Sequence, residues 1–396
     1  MSSIYLDNNA TTRVDPRVIE VMLPLLREDF GNSSSMHDFA AAPSGAVRRA
    51  RGQVRDFIGA DHDDEIVFTS GGTEGANAAI RSALDVSPGR TEIIVSAVEH
   101  PAVLALATAL AGRGTRLHVI PVDMNGNLDM AAYQAALSDR VAAVSIMWAN
   151  NETGVIFPVA ELAAKAKAVG ALFHTDAVQA AGKIPLHVNS SLIDMLSISG
   201  HKFHAPKGVG ALYIRRGVRF APQIIGGRQE RGRRGGTENT AGIAALGKAA
   251  ELAVQSLAFE STVVGPLRDR LQEGLAATIP GCLVAGGQSQ RVPNTLNIAF
   301  EGVDGEDVIL LLDKAGVAAS LGSACAAGSF EPSHVLRAMH VPDAALRGGV
   351  RFSLSRETTP EEIDRVLEIV PEVIAKLRAM APPKEIVSAA MEGAHA

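Results

Sequence analysis

Short apolar runs alternate with alanine-rich helical stretches through the first half of the chain. Most of these runs are apolar at consecutive positions, a pattern typical of strands that are covered on both faces. A regular alternation of strand and helix predicts the α/β class, with a mostly parallel sheet and helices on both of its sides. The predicted strands of this sheet are residues 65–70, 92–98, 116–122, 141–149, 171–177 and 195–201.

The pattern changes after a long helical stretch at residues 241–257. Beyond it the chain predicts a strand at 295–300, a helix at 305–316, a strand at 348–355 and a long helix at 358–380. This order of elements favours a smaller α+β domain beside the large one, for which 396 residues are sufficient. The predicted division is a large domain of residues 15–257, a small domain of residues 1–14 and 258–380, and a tail of residues 381–396.

Charge and cysteine content narrow the possible partners. The formal net charge of -6 argues against binding to nucleic acid or to an anionic membrane. No run approaches the roughly 18 apolar residues that span a bilayer, and the start does not read as a signal peptide. With only Cys282 and Cys325, the sequence predicts neither a disulfide framework nor a cysteine-rich metal site. We therefore expect a cytoplasmic protein without an intrinsic metal.

Two local motifs follow predicted strands and carry candidate chemistry. Lys202, in SGHKFHAPKG, lies where Schiff-base lysines of α/β enzymes lie, although an ordinary surface lysine is the alternative. In TSGGTEGAN (69–77), Gly71 and Gly72 allow the main chain to approach a ligand closely. The helix that follows offers free N–H groups to a phosphate, and Thr73 either adds a hydroxyl or only caps this helix.

Further polar groups lie at the same end of other strands. Asp176 follows an apolar strand and needs a partner such as a pyridinium N–H, unless it only caps a helix; Gln179 could reach the same ligand. His100 could stack on a flat ligand or be structural, and Asn151, in WANNETG, could be part of a plain polar turn. Open α/β sheets bind ligands at this edge. A phosphorylated aromatic aldehyde with a cationic ring would use all of these groups at once, and pyridoxal 5'-phosphate fits that description.

Eight segments, in this order, resemble the cysteine desulfurases: YLDNNATT, TSGGTEGAN, VEHPAV, WANNETG, HTDAVQAAGK, SGHKFHAPKGVGALY, QERGRRGGTEN and GSACAAGS. The resemblance runs from about residue 4 to about residue 380 and implies a fold-type-I pyridoxal-phosphate enzyme of the class V aminotransferase group. It also implies that the mostly parallel sheet of the large domain is of the seven-stranded type. The segments MWANNETG, SGHKFHAPKG and EPSH are most similar to the nitrogen-fixation class of that family.

The resemblance implies a role in cofactor binding for each matching residue. Lys202 would hold the cofactor covalently and later move a proton at the substrate Cα, while His100 would stack on the ring and assist proton transfer. Asp176 would pair with the ring nitrogen, and Gln179 would hydrogen-bond the ring oxygen. The residues that would hold the phosphate are Gly72, Thr73, Ser199 and His201, with Gly200 between the last two.

The same resemblance implies a substrate site and a second subunit. Arg351, in GGVRFSLS, would clamp the substrate carboxylate through a bidentate pair. Asn151 would contact the cofactor or the carboxyl side of the substrate, and Asn8 and Asn9 would help to line the site. Thr237 would reach the cofactor phosphate of the partner subunit, which implies a homodimer.

Cys325 would be the nucleophile. Its thiolate would attack the sulfur of L-cysteine and keep that sulfur as a persulfide, so that L-alanine departs. The small residues around it would let the sulfur travel to an acceptor such as an iron–sulfur scaffold protein, with nitrogenase maturation as the expected destination. The resemblance also allows Cys325 to contact a cluster during transfer. Cys282, in IPGCLVAGG, matches no family segment and is interpreted as structural.

Other functions and three departures from the family pattern stay open at this point. A selenocysteine lyase or cysteine sulfinate desulfinase of the same fold would depend less on an enzyme thiol. An aminotransferase would need a keto acid, and a non-enzymatic cluster scaffold would need no cofactor. The departures are Ser33 where proline is common, Arg228 where a third glycine is usual, and Leu321 where a small polar residue is common. None of them removes a chemical group assigned above.

Overall fold

The computed structural model describes residues 3–321 and 332–380. Cys325 and the predicted tail, residues 381–396, lie outside the described residues. The strands are β1 (Ile4–Tyr5), β2 (Ile66–Thr69), β3 (Glu92–Ser96), β4 (Arg116–Ile120), β5 (Val141–Ser145), β6 (Leu172–Asp176), β7 (Met195–Ser199), β8 (Gly210–Ile214), β9 (Cys282–Val284), β10 (Thr295–Phe300), β11 (Val317–Ala318) and β12 (Gly349–Ser353).

The helices carry the remaining regular structure. They are α1 (Pro16–Arg27), α2 (Ala41–Ile58), α3 (Gly72–Asp85), α4 (Pro101–Ala111), α5 (Met130–Ala136), α6 (Val159–Ala168), α7 (Thr240–Phe259), α8 (Gly265–Thr278), α9 (Gly305–Lys314), α10 (His334–Ala338), α11 (Asp343–Leu346) and α12 (Pro360–Met380). A π-helical turn, Glu260–Val264, joins α7 to α8. None of the helices in the described part of the chain is long and apolar enough to cross a membrane.

A seven-stranded sheet organises the larger part of the described chain, in the order β2-β8-β7-β6-β5-β3-β4. Strands β7, β6, β5, β3 and β4 pair in parallel, and β8 is antiparallel to both of its neighbours. The predicted mostly parallel sheet is therefore confirmed. All six predicted strands form in it, each ending one to four residues before its predicted limit. The resemblance implied a seventh strand but not its position, which is that of β8.

Both faces of this sheet are covered, as the consecutive apolar residues predict. Alternate residues of β2 point to opposite sides: Ile66 and Phe68 join the cluster under α2, α6 and α7, while Val67 joins the cluster under α3 and α4. With both faces covered by helices, the strand ends are where the sheet is open to a ligand. The site described below lies at those ends.

The smaller sheet has its own apolar core. Strands β12, β10 and β9 pair antiparallel, and β1 pairs in parallel with β11 through Ile4 and Val317. Apolar side chains of α8, α9 and α12 cover these strands. The N-terminal strand thus packs with the last third of the chain. Helix α7 continues to Phe259, past the predicted limit at 257, and the domain limits remain a prediction.

Candidate active site

A cavity of about 420 Å³ opens at the carboxyl ends of strands β2, β3, β5, β6 and β7. Most of the residues singled out from the sequence line it. They are Asn9, Gly72, Thr73, His100, Asn151, Asp176, Gln179, Ser199, His201, Lys202 and Arg351. These residues come from segments far apart in the chain. The seven-stranded sheet brings most of them together because its parallel strands end at one edge, while Asn9 and Arg351 reach the cavity from the segment after β1 and from β12.

The turn between β2 and α3 forms an anion-binding corner of the cavity. Gly71 has a φ of 151°, and its main chain leads directly into α3 without a side-chain cap, so the first N–H groups of the helix have no partner within it. A Cβ at Gly72 would lie 2.6 Å from Val178 Cγ2, which explains why a glycine is needed. Thr73 and Ser199 add hydroxyls beside this corner. The arrangement favours a phosphate.

His201 borders the same corner as a neutral ring. Burial, helped by the charges of Lys202 and Lys207, lowers its pKa to about 4. Its Nδ1 lies 3.2 Å from the Thr11 hydroxyl. The imidazole therefore interacts with an anion through a ring N–H and not through a positive charge.

The amine of Lys202 lies at the centre of the cavity, after β7. Its Nζ donates hydrogen bonds to the main-chain carbonyl oxygens of Asn9 (2.5 Å) and Ala10 (2.9 Å). Burial, assisted by the positive charge of Arg351, lowers the pKa of this amine to about 8, while the Asp176 carboxylate acts in the opposite direction. The unprotonated fraction of the amine near neutral pH is therefore well above that of an ordinary lysine, although the ammonium form still predominates; covalent capture of an aldehyde uses the unprotonated form.

Asp176 ends β6 on the floor of the cavity. It is 7% exposed, and its Oδ1 accepts a hydrogen bond from the Val178 N–H at 2.9 Å. Burial raises the pKa of the carboxyl, and the nearby His100 and Lys202 counteract this. A cationic ring nitrogen placed here would stabilise the carboxylate further. Gln179 lies one turn on and donates from Nε2 to the Asn9 carbonyl oxygen at 3.0 Å.

His100 caps α4 and is held in one tautomer. Its Nδ1 accepts a hydrogen bond from the Ala102 N–H at 3.1 Å, so in the neutral ring the proton lies on Nε2. Burial lowers the pKa of His100, which favours this neutral form. The ring lines the cavity as a flat surface and as a group that exchanges a proton.

Arg351 closes the opposite side of the cavity. It is 2% exposed; its Nη2 forms an ion pair of 2.9 Å with Asp7 Oδ1, and its Nη1 donates to the Asn151 carbonyl oxygen at 2.8 Å. The Asn151 Oδ1 is buried and has no hydrogen-bond partner among the described residues. An incoming carboxylate at Arg351 would have to share the guanidinium with Asp7, a residue that the sequence did not single out.

Glu152, which follows Asn151 in the segment WANNETG, and His334 also line the cavity; His334 is the third imidazole there, and the sequence did not single it out. His334 lines the cavity, and its Nε2 lies 3.0 Å from the Glu99 carbonyl oxygen. Ser333, the preceding residue, donates to Glu152 Oε2 at 2.5 Å. The only sequence signal for His334 is the EPSH segment, which contributed to the resemblance but was assigned no role.

Three of the predicted site residues do not line the cavity. Asn8 donates its side-chain N–H to the Ser353 carbonyl oxygen at 2.9 Å, and Gly200 lies buried in the turn behind Lys202. Thr237 lies at the surface in a separate depression. Asn9 reaches the cavity with its main-chain carbonyl, because its side chain is bonded to Thr295, Asn294 and the Asn151 main chain.

The structure describes Cys282 and Leu321 but not the predicted nucleophile. Cys325 lies outside the described residues. Cys282 is a half-buried free thiol in β9 that packs on the core of the small sheet, and burial raises the pKa of its thiol. Leu321 packs over the start of α9. Its Cδ2 lies only 2.8 Å from the position that a Cβ would take at Gly305. The bulky residue that leads to the predicted nucleophile is thus in contact with the small sheet's helix.

The other two departures lie near the loop of Thr237. The Ser33 hydroxyl hydrogen-bonds the Glu238 carboxylate. Arg228 precedes a short 3₁₀ turn, and within that turn Glu230 forms a buried ion pair of 2.7 Å with Arg51. Neither departure touches the cavity.

The cavity suits the group that the sequence predicts. It offers free helix N–H groups for a phosphate, a buried amine of lowered pKa for an aldehyde, and a buried carboxyl for a ring nitrogen. The open acceptor on Asn151 is available to a ring or substrate donor. In the described ranges, 3–321 and 332–380, no group of three or more His, Cys, Asp or Glu side chains is arranged to hold a metal ion.

Comparison with known proteins identifies relatives along nearly the whole chain. The model of the aminotransferase class V family matches residues 4–366. A protein named cysteine desulfurase from Gluconacetobacter diazotrophicus is 60% identical over 99% of this chain and 98% of its own. The cysteine desulfurase NifS from Azotobacter vinelandii is 55% identical over 96% of this chain and 95% of its own.

Solved structures give the same result for the fold. A NifS-like protein superposes with a TM-score of 0.88 at 36% identity, covering 95% of this chain and 100% of that one. A NifS-like protein from Rickettsia africae superposes with a TM-score of 0.84 at 30% identity, covering 94% of this chain and 99% of that one. The predicted fold-type-I architecture is thereby confirmed.

Proposed function

The chain belongs to the cysteine desulfurases of the aminotransferase class V family, and from this premise we propose that it converts L-cysteine to L-alanine with pyridoxal 5'-phosphate as its cofactor and Cys325 as the sulfur acceptor. The observation that carries the proposal is the meeting of Lys202, Asp176 and His100 in one cavity beside a helix N-terminus.

The residues around the cavity would divide the work of holding the cofactor. The first turn of α3, with Thr73, Ser199 and His201, binds the phosphate. Asp176 holds a proton on the ring nitrogen, and Gln179 hydrogen-bonds the ring oxygen. The bound cofactor supplies an electron-withdrawing ring that stabilises negative charge on the substrate carbon atoms.

Substrate turnover requires a proton carrier, an anchor and a nucleophile. Lys202 would hold the cofactor, and its amine would move a proton at the substrate Cα. Arg351 orients the substrate carboxylate. The Cys325 thiolate attacks the substrate sulfur; a sulfur–sulfur bond forms, the carbon–sulfur bond breaks, and its electron pair remains on the substrate carbon, which is then protonated.

The products balance without an added oxidant or reductant. L-Cysteine and the Cys325 thiol together give L-alanine and a Cys325 persulfide. His100, neutral and with its proton on Nε2, is placed to exchange protons during these steps. The terminal sulfur then passes to an acceptor. We infer that the acceptor is an iron–sulfur scaffold protein in the cytoplasm, with nitrogenase maturation as the destination favoured by the NifS-like relatives.

The same proposal includes a homodimer. Thr237 lies at the surface and outside the cavity, as expected of a residue that serves the partner's cofactor. Large apolar side chains are exposed on α1 and on the segment after it: Leu26 (62%), Phe30 (71%), Met36 (104%) and Phe39 (66%). Such a group of exposed apolar residues is typical of a protein–protein interface.

Replacement of the nucleophile tests the proposal. We expect Cys325→Ala to abolish sulfide release from L-cysteine in the presence of a reductant while the visible absorbance of the bound cofactor stays unchanged. The matched control is Cys282→Ala, because this thiol packs on the small sheet, and it should retain sulfide release. Unchanged sulfide release by Cys325→Ala would exclude the proposed reaction and favour a selenocysteine lyase or cysteine sulfinate desulfinase.

A further inference from the structure

A buried lysine lies directly behind Lys202 and has no part in the reaction described above. Lys183 is 6% exposed, and its Nζ donates a hydrogen bond of 3.0 Å to the main-chain carbonyl oxygen of Lys202. Removing an ammonium group from water is costly unless its environment compensates for the loss. A single carbonyl oxygen does not fully compensate for the lost hydration of the ammonium group, which indicates that the charge has a function in its surroundings.

The turn that carries Lys183 is packed tightly against the turn that carries Lys202. Gly182 has a φ of +76°, and a Cβ at this position would lie 2.9 Å from Phe203 Cβ. Phe203, which follows Lys202, is itself 2% exposed. The two turns are therefore packed closely against each other, and the Lys183 side chain bonds the Lys202 main chain across their contact.

Glu260 supplies the opposite charge. It begins the π-helical turn between α7 and α8, is 4% exposed, and its Oε2 has no hydrogen-bond partner within the described part of the chain. Its charge raises the pKa of Lys183, whereas burial and the charge of Arg356 lower it. A π-helical turn is uncommon and frequently marks a functional position. Here it brings a carboxyl from the junction of α7 and α8 to the back of the active site.

We propose that Lys183 is a positioning residue of the active site, which fixes the Lys202 main chain by its hydrogen bond and places a positive charge behind the Lys202 amine. This inference rests on the proposed role of Lys202 as the lysine that captures the cofactor. The charge works against protonation of the Lys202 amine, so that the amine is ready to react with an aldehyde. Glu260 favours the charged form of Lys183, and Lys183 in turn favours the carboxylate form of Glu260, in each case against the effect of burial on the pKa.

The effect of the Lys183 charge on the pKa of Lys202 has the sign that the proposed role requires. Arg351 and Lys183 both lower the pKa of the Lys202 amine, after burial, which is the largest cause. Asp176 and Asp7 raise it. Because like charges oppose protonation, loss of the Lys183 ammonium must raise the pKa of Lys202.

The test uses the full-length, cofactor-free protein with Lys183→Met. The pKa of the Lys202 amine is measured from the pH dependence of its acetylation by acetic anhydride, followed by mass spectrometry of the Lys202 peptide. We expect the pKa to rise by about 0.5–1 unit, so that acetylation near pH 7 slows about 3- to 10-fold. The control is Lys165→Met, an exposed lysine paired with Glu161, which should leave the Lys202 pKa unchanged.

If Lys183 only stabilises the fold, Lys183→Met should lower the melting temperature and leave the pKa of Lys202 unchanged. Because Lys183→Met leaves the buried Glu260 without its opposite charge, we expect a lower melting temperature in either case, and the pKa of Lys202 distinguishes the two roles. An unchanged Lys202 pKa in Lys183→Met would overturn the proposal. If Lys183→Met does not fold, Lys183→Gln, which retains a donor but no charge, must show the same rise in the pKa of Lys202; no rise would equally overturn it.

The proposed function can fail independently. Borohydride reduction of the cofactor-loaded wild type should attach the cofactor to the Lys202 peptide. Attachment to another lysine would disprove the role of Lys202, while the acetylation result would still report on Lys183 and its charge.

Discussion

Glu99 is a buried acid that precedes His100. It is fully buried, and its Oε1 accepts hydrogen bonds from the Ser96 hydroxyl (2.6 Å) and the Met147 N–H (3.0 Å). Burial raises its pKa to about 8, and the nearby Asp176 contributes in the same direction. The carboxyl is therefore protonated at neutral pH. It holds the end of β3 to the segment after β5, the two segments that carry His100 and Asn151.

This proton makes the stability of the folded protein depend on pH. A carboxyl with a higher pKa in the folded than in the unfolded state stabilises the fold most below its ordinary pKa of 4.5, and that contribution is lost as the pH rises to about 8. Glutamine mimics the protonated form at every pH. We therefore expect the melting temperature of Glu99→Gln, relative to the wild type, to increase from pH 5 to pH 8.5. A difference that stays constant over this range would contradict the prediction.

At the scale of residues, local motifs predicted most of the cavity, and distant pairs were missed. Gly72, His100, Asp176 and Lys202 each lie at or just after the end of a strand, so the apolar runs next to them in the sequence predict where they lie. Asp7 pairs with Arg351 across 344 residues. The contact of Asp7 with Arg351 depends on how the N-terminal segment packs against β12, which no local sequence pattern predicts. Lys183 and Glu260 were missed for the same reason.

At the scale of elements, apolar runs determined the central strands well and the short elements poorly. Strand β10 forms over the predicted residues 295–300. All six of its residues are buried, and a strand of this kind has a clear pattern in the sequence. Strands β1 and β11 have two residues each, too few to show a period. Strand β8 follows a glycine-rich turn and runs antiparallel, against the regular βαβ order on which the prediction was based.

The junction between α7 and α8 shows a similar limit. The sequence predicted one helix ending at 257 and a change of pattern, and the structure instead has a π-helical turn, Glu260–Val264, that continues directly into α8. A π-helical turn has no characteristic amino-acid composition, so the sequence did not predict it. Its consequence, the burial of Glu260, is seen only in the structure.

At the scale of the whole molecule, the proposed homodimer makes cofactor binding depend on the second subunit. Phe30 and Phe39 are exposed and lie together, with ring centroids 6.0 Å apart. We expect the wild type to sediment at twice the mass of one chain. Aspartate at both positions should give a monomer that binds the cofactor less tightly, because the partner's Thr237 is lost.

The control for this test is Met124→Asp, which adds the same charge at an exposed residue away from the apolar group. It should remain dimeric with unchanged cofactor affinity. A wild type that sediments as a monomer with its cofactor site fully occupied would contradict the proposed dimer.

The central claim is that the whole chain is a cysteine desulfurase, and product stoichiometry tests it most directly. The purified, cofactor-loaded protein is mixed with L-cysteine, without a keto acid, and alanine and sulfide are measured together. With a reductant, we predict equal amounts of alanine and sulfide over many turnovers. Without one, and with L-cysteine supplied at about one equivalent per active site so that no substrate thiol remains to reduce the persulfide, alanine should form without free sulfide, because the sulfur stays on Cys325. Pyruvate in place of alanine, or alanine formed only when a keto acid is added, would contradict the account.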